Sequence, residues 1–129
     1  MSDLFERAVR VVLNHEGGLS DDPDDPGGIT KYGISLRAFP HLGREVIRNL
    51  TVEQAKQIYK QNWWDRYGYE RLPADVATKV FDLAVNMGPA PAHKLLQQAL
   101  CDVGQRVPVD GVIGPQTVAA AQAAPKDDL

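Results

Sequence analysis

Glu16, Asp25 and Thr30 are the residues whose types and spacing suggest chemistry in this chain. Glu16 stands where an apolar helical pattern stops at Gly17-Gly18; Asp25 and Thr30 follow across a loop of Asp, Pro and Gly. A carboxylic acid that keeps its proton near neutral pH can protonate a departing oxygen. A second carboxylate facing it can orient a water or stabilise positive charge developing on a sugar ring, and the Thr30 hydroxyl can hold that water. Such a set serves glycoside hydrolysis. Asp, Glu and Thr are common residues, so the plain alternative stays open: Glu16 as an exposed last-turn residue and Asp25 as a turn former.

The element before the glutamate decides how its carboxyl is presented. Leu4, Phe5, Ala8, Val9, Val12 and Leu13 recur at helical spacing, and one turn beyond Val12 comes Glu16. The carboxyl is therefore expected on or beside the buried face in the last turn. Lost hydration and the negative end of the helix dipole both disfavour its ionised form there. Raising a Glu from ~4.3 to around 6 takes roughly 2 kcal/mol of differential solvation, which partial burial supplies.

Composition narrows the field. With 129 residues, 43% hydrophobic and 24% charged, the chain suits one domain with a single core. Its net charge of -3 and the lack of a Lys/Arg cluster argue against nucleic acid as partner. The lone Cys101 excludes an internal disulfide and reads as packing. No apolar run approaches the ~20 residues of a membrane span, and MSDLFERAVR lacks the apolar core of a signal peptide. Synthesis in the cytoplasm is expected, with any work at the cell wall requiring holin- or secretion-system-dependent export.

The remaining elements read as mainly helical, with at most a small hairpin beside the site. Ser2 or Asp3 caps the first helix, with Asp3 and Glu6 as a capping-box-like pair, and Gly17 stops it. Residues 29–34 suit a short hairpin, and Ser35 caps a short helix ending by Pro40. Thr51 and Gln54 form another capping box, opening a helix toward Trp63. Pro73 opens the most apolar helix, which ends near Gly88; Pro89 or Pro91 opens the next. Pro115 starts an alanine-rich helix with no partner element after it, so the chain reads as cut short. Trp63 lies one helical turn beyond Tyr59 and is expected in the core, whereas Trp64, Tyr67 and Tyr69 are candidates to line a sugar groove.

Two metal readings fare poorly. An EF-hand starting at Asp22 would place Pro26 and Gly33 at ligand positions. His15, His41 and His93 have no zinc spacing and read as surface or helix-end residues. No metal or organic cofactor is expected.

A resemblance sharpens this reading. Glu16-Gly17-Gly18, Asp22-Pro23-Asp24-Asp25, Gly27-Gly28, Thr30 and Gly33-Ile34 resemble the signature of glycoside hydrolase family 108. Phe81-Asp82-Leu83-Ala84-Val85-Asn86-Met87-Gly88-Pro89 is similar to that family's second motif. Residues 110–117, DGVIGPQT, resemble the start of the peptidoglycan-binding-like segment that ends such proteins. The resemblance implies a mainly α, lysozyme-like fold and hydrolysis of the β-1,4 bond between N-acetylmuramic acid and N-acetylglucosamine in peptidoglycan glycan strands. It implies Glu16 as the catalytic acid, with Asp25 and Thr30 as its partners. Trp64, Tyr69, Tyr32 and Asn86 are the candidates for substrate contact. A muramidase region over 1–88 and a helical peptidoglycan-binding-like segment over 89–129 are expected, packed as one unit. The family also includes secretion activators, which keeps a non-catalytic wall-binding module as the alternative function.

Overall fold

The computed structural model describes residues 2–16, 18–21, 24 and 28–124, with Glu16 described by its backbone alone. Helix α1 (Asp3–Glu16) begins at Ser2, whose Oγ accepts from the Phe5 N–H at 3.1 Å. Of the two cap candidates Ser2 therefore does the work, because the Glu6 carboxylate is engaged by Lys56 Nζ at 2.9 Å. Phe5, Ala8, Val9 and Val12 are fully buried, as the spacing requires, and α1 packs along α5 (Ala74–Met87).

After α1 comes a small three-stranded antiparallel sheet of β1 (Leu19–Ser20), β2 (Thr30–Lys31) and β3 (Ile34–Ser35), in that order. Ser20 pairs with Thr30, and Thr30 with Ser35. The hairpin at 29–34 is the expected one; buried Ile29 and Ile34 anchor it, and Leu36 N–H returns to the Ile29 carbonyl at 3.1 Å. Its turn is Tyr32-Gly33, at φ 52° and 82°, the paired positive values of a tight two-residue turn. The third strand, β1, was not legible: its pairing is carried by backbone bonds, and its one large apolar residue, Leu19, stays exposed. Ser35 caps only a single turn, bonding Ala38 N–H at 3.1 Å, before a 3-10 turn over Pro40–Leu42.

Helix α2 (Arg44–Arg48) backs the sheet: Lys31 Nζ donates to the Arg48 carbonyl at 3.1 Å, and Asp21 pairs with Arg44 and Arg48. Thr51 and Gln54 form the expected capping box, with bonds of 3.1 and 2.9 Å, at the start of α3 (Val52–Tyr59). The helix then widens into a π turn over Lys60–Trp64 and ends as α4 (Asp65–Tyr67). A 3-10 turn, Tyr69–Arg71, leads to α5. Helix α6 (Pro89–Asp102) packs back on α5, and after a loop α7 (Pro115–Ala123) closes the described chain.

One apolar core runs through these elements, from Phe5 to Ala124. At its centre the rings of Phe5, Tyr59, Trp64, Tyr69 and Phe81 meet edge to face or tilted. Each ring of this size stabilises the fold by roughly 2–3 kcal/mol when fully buried, more than two-residue strands supply. The helical core therefore holds the sheet, not the reverse.

Candidate functional site

Glu16 is the last residue of α1, one turn past fully buried Val12, where the carbonyl ends of the helix concentrate partial negative charge. Its side chain, and the whole of Asp25, lie outside the described residues. Beside Glu16, the His15 Nδ1 is 3.0 Å from Asp82 Oδ1 on α5. Asp82 is mostly covered, at 15% side-chain exposure against 56% for His15, so a fixed carboxylate holds a solvent-facing ring. This contact ties the end of α1 to α5. Asn86 stands one turn along from Asp82 and is exposed, on the same stripe of α5.

Thr30 sits in the central strand, half-buried, and its hydroxyl donates to the Gly28 carbonyl at 3.3 Å. That proton is engaged, so toward a water the oxygen serves as an acceptor. Tyr32 is half-buried at the turn, with the Lys31 ammonium 5.5 Å from its ring centre. Its carbonyl accepts from the Tyr59 hydroxyl at 2.6 Å, so a core phenol fixes the hairpin that carries Thr30.

Trp64 and Tyr69 are not groove residues. Trp64 is 1% exposed and its Nε1–H donates to Glu70 at 3.2 Å; Tyr69 is fully buried. The Tyr69 hydroxyl bonds His93 Nε2 at 2.6 Å, and burial pushes its ionisation far above the usual phenol range. The cause is the π turn. An extra residue in one turn of helix brings Trp64, rather than Trp63, to the inward face below Tyr59. Trp63 is left half-buried, 5.2 Å from the Tyr59 ring and 6.0 Å from Phe39, and is the tryptophan with an accessible edge.

His93, read from sequence as a surface or helix-end residue, is 1% exposed. Its Nδ1 is 2.9 Å from the Gly111 carbonyl, which can only accept, so Nδ1 carries the proton and Nε2 receives the Tyr69 hydroxyl. Burial pulls its protonation below the ordinary histidine range, with the Gly111 carbonyl opposing in part. The signal was present: 93, 96, 97 and 100 form one helical stripe, and all four residues are buried.

A helical core holding a short sheet, with a glutamate closing the first helix, is the frame of a lysozyme-like glycan hydrolase. Residues 9–88 match the model of the family Glycosyl hydrolase 108, and the chain belongs to that family. Residues 91–129 match the family described as "Predicted Peptidoglycan domain". Among solved structures, one titled "Structure of Brucella abortus SagA" is similar to it at 36% identity and a TM-score of 0.77. The alignment covers 96% of this chain and 71% of that one. A search of curated proteins found no match.

Proposed function

We propose that this member of a glycosyl hydrolase family cleaves the β-1,4 bond between N-acetylmuramic acid and N-acetylglucosamine in peptidoglycan. Glu16 acts as the general acid on the departing oxygen, and Asp25 is the second carboxylate that orients water or stabilises the developing charge. Thr30 accepts from that water. Tyr32, Asn86 and the open edge of Trp63 contact the sugars. The protein reaches the wall by a holin or a secretion system.

The observation that carries the reading is the position of Glu16, at the C-terminal end of a helix whose preceding turn is buried and whose last turn is bound to α5 through His15 and Asp82. The reading is tested by digesting purified sacculi and identifying the new reducing ends by mass spectrometry. Wild type should release muramic-acid reducing ends, and Glu16→Gln should release none while melting normally. Undiminished turnover by that variant refutes Glu16 as the acid.

A non-catalytic module for wall binding or secretion is the second reading, supported by the match of residues 91–129 to a peptidoglycan domain. Binding to sacculi with no release of reducing ends would establish it instead.

A further inference from the structure

A cleft of about 370 Å³ opens between residues 65–71 and residues 111–113, on the seam between the two matched segments. Its size is that of a small-ligand site. Two guanidiniums line it, Arg66 and Arg71, against one acid, Asp65, whose carboxylate is held by Lys60 at 2.6 Å. Neither arginine pairs with a carboxylate among the described residues.

Arg71 is fixed before any ligand arrives. Its Nε donates to the Gly68 carbonyl at 3.0 Å, and its Nη2 to the carbonyls of Tyr67 and Ile113 at 3.2 and 2.7 Å. Gly68, at φ 67°, is what allows this, because a Cβ there would lie 2.6 Å from the guanidinium nitrogens. The Nη1 makes no hydrogen bond among the described residues. Arg66 lies 5.3 Å from the centre of the Tyr67 ring, exposed and available. The rest of the wall is apolar, with the Tyr67 ring half-buried and Val112 63% exposed.

The exposed Arg66 guanidinium can bind a carboxylate by paired hydrogen bonds. Arg71 adds a fixed positive charge with Nη1 as its open donor, and the apolar wall suits small aliphatic side chains between them. A phosphodiester would leave that wall unused. The cleft also lies away from Glu16. The 65–71 segment meets the start of α1, where Ser2 Oγ bonds Glu70, whereas Glu16 is at the other end of that helix, about 20 Å off. We propose that this cleft binds the carboxylate-bearing, alanine-rich peptide stem of peptidoglycan, through Arg66 and Arg71 against the Tyr67–Val112 wall. The identity of the ligand rests on the peptidoglycan reading above.

The test is titration of the full chain with a soluble stem tetrapeptide, followed by calorimetry and by amide shifts. Shifts are expected at Tyr67, Gly68, Gly111 and Val112. Arg66→Glu should weaken binding at least tenfold with an unchanged melting temperature, and Arg66→Lys should retain part of it. Absence of shifts at these amides overturns the proposal, as does wild-type affinity in Arg66→Glu. Equal displacement of the tetrapeptide by inorganic phosphate also overturns it, because the cleft is then a general anion site. The readout needs no turnover. A chain that binds the tetrapeptide but releases no reducing ends refutes the hydrolase reading alone, and one that releases them without these shifts refutes the cleft alone.

Discussion

Tyr59 joins the core to the candidate site through one oxygen. Its ring is fully buried against Trp63 and Phe81, and its hydroxyl reaches the carbonyl of Tyr32 at the hairpin turn. Tyr59→Phe keeps the ring contacts and removes the donor. A lost hydrogen bond of this kind costs about 1–2 kcal/mol. Because the orphaned carbonyl belongs to the turn beside Thr30, the change should loosen the hairpin more than the core. The expected outcome is a modest drop in unfolding free energy in urea, with faster amide exchange concentrated in residues 29–35. Uniform loss of protection across the helices would show that the hydroxyl matters only to the core. At this scale the sequence was informative where chemistry and periodicity coincide: the apolar repeat through Val12 marked the buried face of α1 and its end at Glu16, and Ser2, Thr51 and Gln54 announced their caps. It was silent on partners distant in the chain, such as Tyr59 for Tyr32 or His15 for Asp82, because nothing local records a contact made by folding.

Between elements, the π turn at Lys60–Trp64 decides which of two adjacent tryptophans the core encloses completely. A 3.6-residue repeat starting from Tyr59 places Trp63 inward and frees Trp64 for a ligand; in the structure Trp63 packs against the core but stays half-buried, and Trp64 is fully enclosed. Local sequence gives no sign of the inserted residue, since a π turn arises when tertiary packing outweighs the poorer geometry of the wider helix. Here the burial of Trp64 among Phe5, Tyr69 and Phe81 is the interaction that favours it. The two alanine variants should therefore behave differently. Trp64→Ala should lose about 3–5 kcal/mol of stability, the cost of emptying a packed aromatic site. Trp63→Ala should cost clearly less and should instead raise KM on glycan strands severalfold, if its open edge meets sugar. Chemical denaturation and KM measured on the same two proteins check this; equal destabilisation would mean that both rings serve the core.

For the molecule as a whole, a buried polar network fastens the loop before α7 to the helical core. His93 bridges the Tyr69 hydroxyl and the Gly111 carbonyl. Gln97, fully buried, receives the Gly111 N–H at 2.9 Å, and the two hydrogens of its Nε2 are shared among Asp110, the Val112 carbonyl and Thr117, at 2.9–3.2 Å. The Val112 N–H and Gln97 hold the Asp110 carboxyl below its ordinary range. This network makes stability depend on pH in a definite direction. Folded His93 binds a proton less readily than the unfolded chain, whose histidine titrates near ~6.5, so below that pH the unfolded state takes up more protons and stability falls. The fall continues until the folded form is also protonated. Asp110 has the other origin but the same sign: its contribution is present above about pH 4 and is lost as its carboxyl protonates. Between pH 7.5 and 5.5 the His93 effect acts alone of the two. The unfolding free energy of the wild type should therefore decline across that range. His93→Gln should be less stable at pH 7.5, since it disturbs two buried partners at about 1–3 kcal/mol each, but should show a flatter pH dependence. Urea titrations of both proteins at pH 7.5, 6.5 and 5.5 measure the two slopes. Parallel slopes would mean that the acid sensitivity arises elsewhere and that His93 is only a packed spacer between Tyr69 and the loop.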